Sequence, residues 1–446
     1  MSTLALRRFA GARSKKRKAK ARPRGRAVST EYNLLLTATL CLLALGAVMV
    51  FSASSTTQVL HNGGLANSTY YLKRTLIVGA IGLVLMHVVA RHGLATIRNA
   101  TPALLAVSLF LLVAVLGAGS EVNGATRWLG GGSLQIQPSE LAKVALILYG
   151  ADMLSRKPKR ARSLDGFAPY LLVTAGACGL IMLEPDMGTT MVIVFATAAT
   201  LIAAGARPRD LGKIALAIGA AALLMTLVEP YRMARLTGFL NPGSEAEGAG
   251  FQAAQAKIAL GSGGIEGVGI GNGVQKAYYL PEAHTDMISA VIGEELGMIG
   301  IVGVVGLFGM FAYAGLKVAQ TAKDAYGKLL VAGLTSLIVV QAIINLFAVM
   351  GLAPLTGVPL PFVSYGNSSL LATLFAVGLI LNVARGGTAA AARGGSGARA
   401  GKLRVVEGGR APTAERSRAS GGRKSKGGGG GGRNGRARGA GTRRRR

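Results

Sequence analysis

Between Tyr32 and Val383 one pattern recurs ten times: a stretch of apolar residues approaching the length of a bilayer crossing, then a polar break. Hydrocarbon offers no hydrogen-bond partners, so each stretch must satisfy its own backbone, and an α-helix does that. The stretches predict helices over Tyr32–Ser52, Thr75–Val89, Thr101–Leu116, Pro138–Leu154, Phe167–Leu183, Thr189–Ala206, Leu211–Val228, Met287–Val318, Leu329–Met350 and Leu370–Val383. The shorter ones need flanking residues to complete a crossing. The expected fold class is an all-α integral membrane protein of ten transmembrane helices. The first stretch is longer than a signal-peptide core. Ser52-Ala53-Ser54 at its end is therefore read as part of an uncleaved anchor rather than a cleavage site.

The polar breaks are of two kinds. Arg91-His92…Arg98, Arg156-Lys157-Pro158-Lys159-Arg160, Arg207-Pro208-Arg209…Lys213 and Lys317…Lys323…Lys328 fall on one side of a ten-helix alternation. Both chain ends fall on that side too, and the positive-inside rule makes it the cytoplasm. The ends are strongly basic. The first thirty residues hold eleven Lys or Arg and no acid, and from Arg385 onward eighteen Lys or Arg face only Glu407 and Glu415. All but 4 of the formal +31 therefore lies in the tails. Basic tails beside membrane spans point to anionic lipid as their partner, with nucleic acid an unlikely one. The expected organisation is a disordered tail over 1–31, a membrane domain over 32–385 and a disordered Gly/Arg-rich tail over 386–446. Cys41 and Cys178 both sit inside apolar stretches, which excludes a disulfide framework.

The other breaks are rich in Gly, Pro, Ser and Asn, and two are long, Gly117–Pro138 and the large loop 229–286. Five segments on this outward side combine polar residues with helix ends. They are GATRWLGGGSLQIQPSELAK (Gly124–Lys143), LEPDMGTT (Leu183–Thr190), EPYRMARLTGFLNP (Glu229–Pro242), GSGGIEGVGIGNGVQKAYYLPEAHTD (Gly261–Asp286) and GLAPLTGVPLPFVSYGNSS (Gly351–Ser369). Charges gathered at one membrane face are costly and usually functional. Asp286 stands where the long loop re-enters the membrane. It can act as a partly desolvated base, or it and Thr285 can cap the next helix. Lys143, beside Glu140, lies inside a predicted span and needs either a partner acid or a wet cavity. Glu294 and Glu295, deeper along the helix after Asp286, suit a buried polar network. Asp186 either orders the outer cavity or caps a helix. Trp128, Tyr278 and Tyr279 suit an interfacial belt, with sugar stacking an alternative for Trp128. The glycines of GVGIGNG follow no strand and lack a P-loop ending, so a nucleotide site is rejected.

In order and in content, the five motifs resemble the signatures of the SEDS family (shape, elongation, division and sporulation), bacterial peptidoglycan glycosyltransferases. GNGVQK followed by YYLPEAHTD, with EPYR…R, is closer to the FtsW branch than to RodA. The resemblance implies a ten-helix fold in the inner membrane at the division septum. It implies lipid II and undecaprenyl-pyrophosphate-linked glycan as substrates. The implied protein partners are a class B penicillin-binding protein transpeptidase and other division proteins. Asp286 is the implied catalytic residue. The implied substrate-binding residues are Arg127, Lys143, Arg232, Arg235, Lys276, Glu282, His284, Ser364 and Ser368, and the polar network comprises Glu140, Asp186, Glu294 and Glu295. Arg232 or Lys276 could instead pair with Glu229 or Glu282. Mg2+ or Mn2+ bridging the pyrophosphate is an expectation from the family, since Glu282, His284 and Asp286 alone are too sparse a ligand set. No organic cofactor is expected. Two positions depart from the family pattern. Glu184 stands where Gln is usual, and Asn367 where a second glycine is usual. Asn tolerates left-handed backbone better than most residues.

Two rivals differ in class. A lipid II flippase would need polar positions along the whole transit path. A non-catalytic scaffold would not need Asp286. A RodA-like elongation polymerase would share the chemistry.

Overall fold

The computed structural model describes residues 29–62, 69–122, 125–131, 135–158, 162–228, 249–280 and 282–387, with the isolated positions 233, 237 and 239. Both basic tails, Arg232 and Arg235 lie outside the described residues.

The elements in order are α1 (Thr30–Asn62), α2 (Tyr70–Arg91), α3 (Leu94–Ala118), β1 (Ser120–Val122), β2 (Ala125–Trp128), α4 (Pro138–Arg156), α5 (Leu164–Leu183), α6 (Met187–Ala204), α7 (Pro208–Val228), α8 (Ala249–Gly263), α9 (Gln275–Tyr278), α10 (Ile288–Thr321), α11 (Ala325–Val349) and α12 (Asn367–Ala384). Every predicted helix is present, most a few residues longer than its apolar stretch. Among the described residues nine helices are long and apolar enough to cross a membrane. The remaining predicted span, α4, fails that measure because it carries Glu140, Lys143, Asp152 and Arg156. It compensates by burial, with fourteen of its nineteen residues inside the bundle. α7 is the opposite case. None of its residues is buried, yet Leu216, Leu223, Leu224, Leu227 and Val228 are all exposed. Such a helix is stable only where lipid covers it.

Two features amend the all-α, loop-only expectation. Residues 120–128 form a small antiparallel hairpin, with Ser120 opposite Trp128 and Val122 opposite Ala125. The large loop 229–286 is also not structureless, because α8 and α9 lie within it. α8 packs on α10 through Gly263, where an added Cβ would fall 1.9 Å from the Gly293 carbonyl oxygen.

α10 is 34 residues long, which as one helix would measure about 51 Å, well beyond a hydrocarbon core of about 30 Å. It breaks at Gly297, whose φ of 64° favours glycine. The freed backbone groups find partners in the loop after α8. Val268 and Gly269 N–H donate to the carbonyls of Glu294 and Glu295, both at 3.0 Å. Met298 and Ile299 N–H donate to Gly264 and Ile265 at 3.0 and 3.2 Å. Interrupted helices survive in membranes only when protein satisfies the gap in this way.

α11 is the central element, packed against α4, α6, α10 and α12. Ser52-Ala53-Ser54 is buried within an unbroken α1. The basic loops lie at one end of the bundle, where Asn382 of α12 donates to the Val89 carbonyl and Arg98 of α3 lies over the Tyr326 ring of α11. The four motifs within the described residues lie at the other, here called the motif end.

Candidate active site

Asp286 lies in a tight turn leading into α10. Thr285 N–H donates to the Glu282 carbonyl at 3.0 Å, and the Thr285 hydroxyl lies 3.0 Å from that oxygen and 3.2 Å from Asp286 Oδ1. The N-cap position of α10 is Met287, whose own side chain makes no capping hydrogen bond. The carboxylate is half-buried and faces Gly357, where a Cβ would stand 3.8 Å from Asp286 Oδ2. The Asp286 carbonyl accepts a 2.7 Å bond from Asn345 Nδ2 of α11. The same nitrogen donates to the Val358 carbonyl at 2.8 Å.

His284 packs its ring 4.5 Å from Tyr71 and 5.6 Å from Tyr365, and its carbonyl accepts the Tyr365 N–H at 2.9 Å. Burial holds the imidazole below its usual pKa against the opposing pull of Glu282, so it is neutral at pH 7. Nearby, Asn367 opens α12 without left-handed backbone. With its amide oxygen turned toward Arg74, Asn367 accepts from that guanidinium at 2.7 and 2.8 Å. The residue in the glycine position thus anchors a cation that the sequence reading did not single out.

The two buried lysines are both paired. Lys143 Nζ reaches Glu140 Oε1 at 2.8 Å and Gln341 Oε1 at 2.9 Å. Gln341 in turn donates to the Pro359 carbonyl at 3.0 Å. Lys276 Nζ pairs with Glu295 and lies 2.9 Å from Ser52 Oγ, which donates to Glu295 at 2.7 Å. The ion-pair partner shown for Lys276 is Glu295, and Glu229 lies outside the described residues. Glu294 accepts from Val274 and Gln275 N–H at 2.8 and 3.1 Å, capping α9. Glu294 and Glu295 thus belong to the buried network that the spacing suggested.

Arg127, in β2, donates from Nε to the Glu184 carbonyl at 3.0 Å and from Nη2 to the Pro185 carbonyl. Asp186 caps α6 through Thr189 N–H at 2.9 Å and also takes a 3.4 Å bond from Gln137. Ser368 accepts from Gln137 N–H at 3.2 Å, and Ser364 accepts from Leu360 N–H at 2.8 Å. Glu184 is fully buried, and among the described residues neither carboxylate oxygen has a hydrogen-bond partner. Burial, reinforced by Asp186 and opposed by Arg127, pushes its pKa up to about 8.

These contacts join the four described motifs. Asn345 ties the Asp286 turn to the 358 segment, which packs on Gly188 at the start of α6. Gln137 links α6 to α12, and Gln341 links Lys143 to the same segment. That segment is buried and strained, with Phe362 at φ 66°, the kind of backbone that accumulates at functional sites. Trp128 is half-buried at the end of β2 and Tyr279 is exposed, while the Tyr278 side chain lies outside the described residues. Sequence reading missed Arg74, Gln341, Asn345 and Ser52. Gln341 and Asn345, four apart in an apolar helix, were the available signal. Among the described residues no group of three His, Cys, Asp or Glu side chains converges to hold a metal ion.

A family model described as cell cycle protein, covering FtsW, RodA and SpoVE, matches residues 32–388. The probable peptidoglycan glycosyltransferase FtsW of Trichlorobacter lovleyi is 41% identical over 366 residues, 80% of this chain and 94% of that protein. Stage V sporulation protein E of Bacillus subtilis is 40% identical over 356 residues, 79% of this chain and 96% of that one. Among solved structures, a chain of a peptidoglycan synthase complex coordinating polymerization and crosslinking aligns with TM-score 0.66 at 30% identity, covering 79% of this chain and 96% of its own. The rod shape determining protein RodA of Thermus thermophilus aligns with TM-score 0.58 at 28% identity, covering 81% and 98%.

Proposed function

From the premise that this chain belongs to the cell cycle protein family of FtsW, RodA and SpoVE, we propose that it is a septal lipid II polymerase. It is a multi-pass membrane protein and a peptidoglycan glycosyltransferase. The observation that carries the site assignment is the half-buried Asp286 carboxylate, clamped by its backbone at the motif end and facing Gly357.

In this reading Asp286 takes the proton from the 4-hydroxyl of an acceptor lipid II. The hydroxyl oxygen attacks the anomeric carbon of the growing strand, the bond from that carbon to pyrophosphate breaks, and the lipid pyrophosphate leaves. Lys143 and Lys276, each neutralised by a buried carboxylate, shape the site. Arg127, together with Arg232 and Arg235, supplies charge for the pyrophosphate. Glu282 and His284 border the sugar, while Ser364 and Ser368 frame it. The described ligand set does not fit a protein-held metal, so no step runs through one. Mg2+ or Mn2+ is proposed only as a counter-ion carried by the pyrophosphate. The likeness to a chain of a peptidoglycan synthase complex supports a class B transpeptidase as partner, and the positive-inside pattern supports a motif end facing outward.

Purified full-length protein, with and without a cognate transpeptidase, is given labelled lipid II. Asp286→Ala should cut glycan formation by about 100-fold or more while the protein stays folded. Equal polymer from the variant would remove Asp286 from the chemistry. Lipid II translocation without polymer would favour the flippase.

A further inference from the structure

Asn345 makes three side-chain hydrogen bonds inside the bundle. It is buried in α11, where an amide is costly unless every group is satisfied. Its Nδ2 donates to the Asp286 and Val358 carbonyls at 2.7 and 2.8 Å, and its Oδ1 accepts the Ser289 hydroxyl at 2.7 Å. None of these partners belongs to its own helix. One turn earlier, Gln341 repeats the arrangement, donating to the Pro359 carbonyl and accepting from Lys143. Two successive carbonyls, Val358 and Pro359, are thus held by two amides on one face of α11. The remaining hydrogen bonds of those amides reach the Asp286 turn, Ser289 and the Lys143 ammonium. Gly357, the residue that Asp286 Oδ2 faces, immediately precedes the clamped pair. One side chain therefore holds both the base and the wall opposite it.

We propose that Asn345 is a positioning residue for glycosyl transfer: its amide bridges the Asp286 turn to the 358–359 segment and sets where the carboxylate stands. The proposal rests on Asp286 being the base. Asn345 touches the Asp286 backbone and acts through it. The Asp286 and Val358 carbonyls can only accept, so they fix which way the amide faces, and the Ser289 hydroxyl, donating to Oδ1, anchors it from the other side. A displacement of about 1 Å in a reacting group costs on the order of 100-fold in rate.

The test measures kcat and KM for labelled lipid II, the pH profile of kcat and the melting temperature. It compares full-length wild type, Asn345→Ala, Ser289→Ala and Asp286→Ala, each with the cognate transpeptidase. Folded Asn345→Ala should lose about 10- to 100-fold in kcat, with KM within about twofold and a displaced pH profile. Ser289→Ala should lose about 3- to 10-fold in kcat in the same manner, because the clamp remains but the bond anchoring its Oδ1 is lost and the amide can shift. A merely structural role would lower folded yield and melting temperature while leaving kcat per folded molecule unchanged, and that result overturns the proposal. If Asn345→Ala is not recovered folded, Ser289→Ala decides: reduced kcat at constant KM supports the proposal, and wild-type kcat overturns it. Full activity in Asp286→Ala would sink the assignment of the base. An inactive Asp286→Ala beside wild-type kcat in Asn345→Ala would sink the positioning role alone.

Discussion

The two ends of the bundle use ionisable residues in opposite ways. At the basic end Asp152 takes Arg98 at 2.6 Å and Arg156, and the Arg156 side chain is 51% exposed, so its charge keeps contact with the medium. At the motif end Lys143, Lys276, Glu140, Glu294, Glu295 and Glu184 are all buried. There Glu294 accepts backbone N–H groups, Lys143 and Lys276 pair with carboxylates and donate to amide and hydroxyl oxygens, and non-helical segments are held in place by these contacts. The contrast separates charge that orients a helix bundle from charge that preorganises backbone. The first tolerates water and rearrangement. The second does not, because an unpaired charge in a dry interior has no alternative partner.

Breaking a buried pair should show the largest effect on stability. Lys276→Met leaves Glu295 without its cation, and the expected cost is about 3–5 kcal/mol. Lys276→Met combined with Glu295→Gln should recover most of it, since neither partner is then left charged. Thermal unfolding in detergent measures both. A single variant as stable as the wild type would show that the motif end is wetter than its burial indicates, and the contrast between the ends would weaken.

Much of this distinction was open to sequence reading at the level of helices, and little of it at the level of pairs. Apolar length located a helix at each predicted span, nine of them long and apolar enough to cross a membrane among the described residues, and the spacing of Glu294 and Glu295 indicated a buried network rather than sugar contact. Asp186, by sequence either a cap or an organiser of the outer cavity, caps α6. The pairings were not legible because they join distant segments: Ser52 meets Glu295 across 243 positions, and Lys276 meets Ser52 across 224. Local propensity carries no information about such contacts. α8 was missed for a different reason. Its sequence, AGFQAAQAKIALGSG, is small, mixed and glycine-ended, so neither apolar length nor a clear apolar face marks it. Asn345 and Gln341 could have been noticed as isolated amides in an apolar helix, but the carbonyls they hold lie in a loop whose path no periodicity describes.

Glu184 sharpens the comparison through pH. Its pKa rises from the ordinary 4.5 to about 8 because burial disfavours the charged form. The folded state therefore binds this proton more tightly than the unfolded state. Its stabilising contribution is complete below about pH 4.5 and is lost as pH rises through about 8. Glu184→Gln cannot ionise and should remove this dependence. Above pH 8 the variant should exceed wild type by several kcal/mol, converging with it near pH 4.5. Melting temperatures of both proteins across that range measure the difference. A constant gap would mean that Glu184 is charged throughout and that a cation reaches it.

The smallest effect should come from the basic end. Arg156→Ala removes one partner of Asp152, but Arg98, with 17% of its side chain exposed, still donates to the carboxylate at 2.6 Å. The departing charge was half in solvent, so the expected loss is below about 1 kcal/mol and smaller still at high salt. Lipid II polymerisation should proceed at the wild-type rate, because no contact of Arg156 leads to the Asp286 turn. The diagnostic quantity is the ratio of this loss to that of Lys276→Met, measured in the same detergent at two salt concentrations. A ratio near one would mean that burial does not distinguish the two ends. A ratio well below one, falling further with added salt, is what solvent-screened pairs at one end and dry pairs at the other require.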